Sequence, residues 1–153
     1  LGNTKNFIES LKKNFKNVTF EASRLEDIIS GSGISKIYET LTHEKLSAEE
    51  IFKKFLDKEP DALFVINGFI KSLSQTLSDL TLSFLPGKGI LLAGSLSRSI
   101  YTHFNEQNFF KPFINNNTGM HFDILKNTPI GVITKERTPL YGNLAFYKNL
   151  NKI

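Results

Sequence analysis

Glu26 stands a few residues before a Gly31-Ser32-Gly33 triplet in the stretch EDIISGSGI, residues 26–34. Gly-x-Gly backbones can approach phosphate oxygens closely, so a phosphate cradle is the first chemistry to consider. The stretch fails the dinucleotide fingerprint. Lys36 falls where the third glycine belongs, and the preceding segment reads as helix rather than strand. The spacing instead predicts a turn that ends one short helix and starts another, with helix carbonyls that repel anions. Glu26 follows Ser23 by three residues, a capping-box spacing that explains the carboxylate without any ligand.

A second candidate is GILLAGS, residues 89–95. It reads as a short apolar strand ending in Gly94, and ligands gather at the carboxyl ends of strands in open α/β sheets. A glycine there lets backbone approach a ligand, or it merely starts a turn; the spacing leaves both open. PGKG, residues 86–89, lacks the Ser or Thr and the upstream glycine of a phosphate loop and reads as a helix stop. His43, His103 and His121 make no i, i+4 metal pair, and no nucleophilic triad can be proposed from spacing. The chain has no cysteine, which excludes disulfides and thiolate zinc sites and is compatible with a reducing cytosol.

These residues need elements to position them. Phe7, Ile8, Leu11 and Phe15 lie at helical spacing within residues 4–16. Ser23 to Glu26 predicts a short helix stopping at Ser30-Gly31, followed by an apolar face of Ile34, Ile37, Tyr38 and Leu41. Ser47 to Glu50 predicts a capping box opening a helix that ends near Pro60. Residues 61–85 carry the most regular stripe: Leu63, Ile66, Ile70, Leu73, Leu77, Leu80 and Phe84. Its flanks lack the charges that pair exposed coiled coils, so a buried central helix is the better reading. Beyond the helix stop come the GILLAGS strand, an aromatic-rich helix over 97–113, an INNNTG loop, a PIGVIT strand and helical spacing over 138–150. No internal repeat is visible. The order describes a helix-rich α/β domain with few strands.

The bulk composition fits one domain: 153 residues, 40% hydrophobic, with 14 Phe. A net charge of +4 and a pI near 9.2 come from dispersed Lys and Arg among acids, not from a basic stripe, so no nucleic-acid partner is expected. No apolar run is long enough to span a membrane, and no signal pattern opens the chain. The absent initiator Met suggests a chain cut from something longer.

Taken in order, RLEDIISGSGISKIYETL, the long apolar helix, GILLAGSLSRS and TPIGVITKERTPLYGNL resemble the carboxyl-terminal half of bacterial glucokinases. That family belongs to the actin, sugar-kinase and heat-shock ATPase superfamily, and the resemblance runs from about Leu11 to Leu150. It implies a fold belonging to the ribonuclease-H-like carboxyl-terminal domain of a cytoplasmic sugar kinase. It also implies that Glu26 hydrogen-bonds the hydroxyls of glucose or a related hexose, a task suited to a carboxylate that accepts from two vicinal hydroxyls. Ala93, Gly94 and Ser95 would lie beside the adenosine of ATP, used with Mg2+.

Ser32, Ser95 and Leu140-Tyr141-Gly142 depart from the family pattern, which often has proline, glycine and Leu-Leu-Gly there. The phosphate hairpin, the Asn-Asp pair bearing the general base, the second phosphate loop and the Glu-Gly-Gly-His sugar motif are not in these 153 residues. The resemblance therefore implies an amino-terminal domain outside this chain, and a chain with no catalytic residue and no activity of its own. The alternative is a non-catalytic dimerisation or regulatory module, for which the Leu63–Phe84 stripe is the best support.

Overall fold

In the computed structural model, which describes residues 4–114 and 117–150, the chain opens with helix α1 (Thr4–Lys12) and a 3-10 turn (Lys13–Phe15). Ile8, Leu11 and Phe15, on one face of this segment, are buried. A second 3-10 turn (Leu25–Asp27) leads into α2 (Gly31–Thr42), then α3 (Ala48–Leu56) and the long α4 (Pro60–Phe84). The predicted capping box of α3 is formed. The Glu50 N–H donates to Ser47 Oγ at 3.3 Å, and the Ser47 N–H donates to Glu50 Oε2 at 2.8 Å. Pro60, at the first position of α4, gives up an N–H that no helical partner needs. Leu85 in the left-handed region and Pro86 after it end the helix.

Helix α4 is the centre of the fold. It packs against α2, α3 and the Lys13–Phe15 turn. It also packs against a π-type turn (Glu106–Phe110) and two further helices, α6 (Lys111–Ile114) and α7 (Gly119–Asn127). Its buried face is not the stripe read from sequence. Ile66, Ile70 and Leu77 are buried, but Leu80 and Phe84 are 38% and 72% exposed. A strict three-and-four repeat drifts around a straight helix of 3.6 residues per turn, so the end of the stripe rotates out of the core.

The core side instead adds Ala62, Val65, Phe69, Ser72, Thr76 and Thr81. The hydroxyls of Ser72, Thr76 and Thr81 donate back to carbonyls four residues earlier, so burying them leaves no unmet polar atom. Phe15 lies over Gly68 so closely that a Cβ there would stand 2.6 Å from its ring. That contact seats the Lys13–Phe15 turn on α4.

After α4 comes strand β1 (Ile90–Leu92), which leads through Gly94 into α5 (Ser95–Ile100). The helix expected over 97–113 is divided into α5, a 3-10 turn, the π-type turn and α6 (Lys111–Ile114). Asn105 is the reason. Its side chain accepts from the N–H groups of Gln107 and Asn108, which starts a new turn instead of continuing the old one. Helix α7 (Gly119–Asn127) was not anticipated from the pattern; of its residues only Leu125 is fully buried.

Strand β2 (Ile130–Val132) pairs parallel with β1, Ile90 opposite Ile130 and Leu92 opposite Val132. A parallel pair needs a long crossover, here residues 93–129 with their helices. Helix α8 (Thr138–Leu150) follows. The architecture is a helix-rich α/β fold with a two-stranded parallel sheet. Among the described residues, no helix is long and apolar enough to cross a membrane. Part of the INNNTG loop, Asn115 and Asn116, lies outside the described residues.

Candidate functional site

Glu26 lies in the Leu25–Asp27 turn and does not cap it. The carboxylate that does is Asp27, whose Oδ2 accepts from the backbone N–H groups of Ser23 and Arg24, both at 2.9 Å. These two bonds hold the Asp27 carboxyl below its ordinary pKa, with help from the Arg24 charge and the Ser23 hydroxyl. The capping-box reading of Glu26 is thereby corrected: with Asp27 in that role, Glu26 has no backbone duty. Its side chain is largely exposed and its Oε1 makes an ion pair with Arg24 Nη1 at 2.7 Å.

The glycine triplet also differs from expectation. Gly31, Ser32 and Gly33 are the first turn of α2, not the tail of a preceding helix, so they present N–H groups and the positive end of the dipole. Ser30 is the N-cap. Its Oγ accepts from the Gly33 N–H at 2.9 Å and donates to the Glu26 carbonyl at 2.6 Å. One hydroxyl thus ties the backbone of Glu26 to the start of α2. Gly33 is required by space: a Cβ would stand 2.8 Å from the Asp27 carbonyl oxygen and 3.0 Å from that of Ile28. The helix start is pressed directly against the turn that carries Glu26.

Gly31 faces a cleft of about 440 Å3. Gly31, Ala48 and Ser95, the first residues of α2, α3 and α5, all line it, with Phe52 and Leu96 as apolar walls and Glu49 and Lys53 charged at its rim. Three helices thus begin around one cleft. The fold therefore brings Ser95 and Gly31, the first residue of the triplet, to one place. Ala93 and Gly94 sit just upstream of Ser95 and do not line the cleft, and neither does Glu26, which reaches it only through Ser30 and Gly31.

Gly94 has φ +123° and ψ 162°, a conformation open in practice only to glycine, and the space where its Cβ would point is empty. It is the turn that sends the chain from β1 into α5. Gly89 likewise closes the expected helix-stop turn, its N–H donating to the Pro86 carbonyl at 2.9 Å. The histidines are ordinary: His103 packs edge-on against Phe52 and Phe55, His43 ends α2, and His121 is exposed. Among the described residues no three His, Asp or Glu side chains converge to hold a metal ion.

The cleft lies just beyond the carboxyl end of a parallel strand, the place where open α/β sheets commonly gather ligands. A profile of the Glucokinase family matches residues 3–150, and the chain belongs to that family. Among curated proteins, the glucokinase of Mesorhizobium japonicum (strain LMG 29417 / CECT 9101 / MAFF 303099) is similar, 27% identical over 131 residues. The match covers 81% of this chain, which spans only 38% of that relative's length.

Proposed function

We propose that this chain is the carboxyl-terminal portion of an ATP-dependent glucokinase, part of a ribonuclease-H-like domain in a cytoplasmic enzyme, supplying sugar-binding and nucleotide-binding surface. The observation that carries the reading is a juxtaposition within a family match. The Glu26 carbonyl accepts from Ser30, the N-cap of α2, and Gly31 at the start of that helix lines one cleft with Ser95, the first residue of α5.

In this reading Glu26 leaves Arg24 to accept from two hydroxyls of the hexose. Ala93, Gly94 and Ser95 form an edge against which adenosine packs, with the open face of Gly94 leaving room for it. In the same reading Mg2+ would accompany the phosphates of the nucleotide. Phosphoryl transfer to the sugar 6-hydroxyl needs a base and a phosphate clamp that these 153 residues do not carry. The isolated chain should therefore form no glucose 6-phosphate.

The direct test is a thermal-melt titration of the purified chain with glucose and, separately, with ATP, because a ligand that binds only the folded state raises its stability. Millimolar glucose should raise the melting temperature of the wild type and not that of Glu26→Gln. No shift by either ligand would sink the proposal. A second reading, a non-catalytic dimerisation module, draws on the exposure of Phe84, Leu91 and Phe146, at 72%, 72% and 67%. A stable dimer by light scattering combined with a silent melt titration would favour it.

A further inference from the structure

A second hollow, a groove of about 750 Å3, lies between the Lys13–Phe15 turn and the first half of α4. The two hollows share no lining residue. Lys13, Lys16 and Lys71 stand around the groove, and no carboxylate lines it among the described residues. Among the described residues these three lysines form no ion pair.

The floor is apolar, built from Pro60, Leu63 and Phe64. Asn14 donates to Ser72 Oγ at 3.0 Å and to Gln75 Oε1 at 2.8 Å. Asn67 donates to the Leu63 carbonyl and accepts from Asn108. Phe15 on Gly68 fixes the turn that brings Lys13 and Lys16 over α4.

We infer that this groove binds a small phosphate ester, its phosphate between the lysines and its apolar or ring-shaped body on Leu63 and Phe64. With three ammonium groups and no carboxylate in its lining, the groove offers positive charge to an anion. Lysine serves as a point charge for phosphate without imposing a fork geometry. The apolar floor adds a contribution that a bare anion cannot collect. The site stands apart from the Glu26 region, so its occupancy is independent of sugar binding at Glu26.

The test uses phenyl phosphate, inorganic phosphate and phenol, titrated into the chain and followed by amide chemical shifts. Phenyl phosphate should bind saturably, more tightly than either of its halves, and shift the signals of Asn14, Asn67 and Lys71. Its affinity should weaken as salt is raised. The combined Lys13→Gln, Lys16→Gln, Lys71→Gln variant should bind about tenfold more weakly, and Lys53→Gln, at the rim of the other cleft, should bind as the wild type does. Shifts confined to the α2, α3 and α5 cleft, equal affinity in the triple variant, or no saturable binding by the wild type would overturn the inference. The lysines are replaced without touching the buried core, and the shift map of the wild type stands even if the variant is destabilised.

Discussion

Replacing Gly33 by alanine tests whether the turn carrying Glu26 is held against α2 by contact. The backbone of Gly33 is ordinary helix, so an alanine meets no torsional strain there. The obstacle is distance: the new Cβ would lie 2.8 Å from the Asp27 carbonyl oxygen, 3.0 Å from the Asp27 carbonyl carbon and 3.0 Å from the Ile28 oxygen. Relief to ordinary contact needs a backbone displacement of about 0.7 Å, since non-bonded contacts to carbon settle near 3.5 Å. The atoms in the way are backbone, so no side chain can rotate aside. Overpacking of this kind costs about 1–3 kcal/mol, and alanine's helix propensity returns at most about 1 kcal/mol.

The net expectation is a loss of about 1–2 kcal/mol, or a melting temperature lower by about 2–8 °C for a chain of this size. Gly31 supplies the control. Its Cβ would meet only the Ala48 Cβ at 3.5 Å, an ordinary contact, so Gly31→Ala should be neutral or more stable by up to about 1 kcal/mol. Urea unfolding of both variants decides the matter. If Gly33→Ala proves as stable as Gly31→Ala, the close approach described here is not a constraint, and the positioning argued for Glu26 loses its basis.

Gly94→Ala should cost about 1–3 kcal/mol through its φ of +123°, measurable by chemical denaturation, even though nothing occupies the space its Cβ would enter. Ser30→Ala should lose about 1 kcal/mol of cap and free the Glu26 carbonyl, read as faster amide exchange at Gly33, while Ser30→Thr keeps most of both. Asp27 and Glu50 both have folded pKa values below their ordinary 3.8 and 4.5, Asp27 through the Ser23 and Arg24 N–H groups and Glu50 through the Ser47 hydroxyl and N–H. Such groups stabilise the fold above their unfolded pKa, and that contribution is lost as pH falls through the folded values. Melting temperature should accordingly drop below about pH 4, and the combined Asp27→Asn, Glu50→Gln variant should flatten that drop.

Much of the fold was legible because the local signals were strong and uncontested. The Ser47–Glu50 capping box, the α4 boundaries set by Pro60 and Pro86, and both strands appear where pattern and turn chemistry place them. Misreadings arose where two residues competed for one role. Ser23 with Glu26 and Arg24 with Asp27 have the same spacing, and only the folded backbone reveals that Asp27 wins. Ser30 was readable as the N-cap of the Ile34 and Ile37 face, but the glycines after it drew attention as a turn. The cleft walls Phe52 and Leu96 carry no sequence signal, because they meet only when residues far apart in the chain are packed together.

The parallel pairing of β1 with β2 has a consequence for the cleft beside it. One wall, Gly31 and Ala48, begins helices that pack on α4, close neighbours along the chain. The other, Ser95, follows a three-residue strand whose partner arrives only after residues 93–129 have closed on themselves. Loop closure of that length is paid in entropy against a few ladder bonds, so the strand side belongs to the part of the molecule that opens first and folds last. A ligand that touches both walls therefore closes a loop as well as a pocket. Part of its binding free energy goes into holding the strand pair together, and its arrival should slow amide exchange in β1 and β2 even though it contacts neither strand's interior.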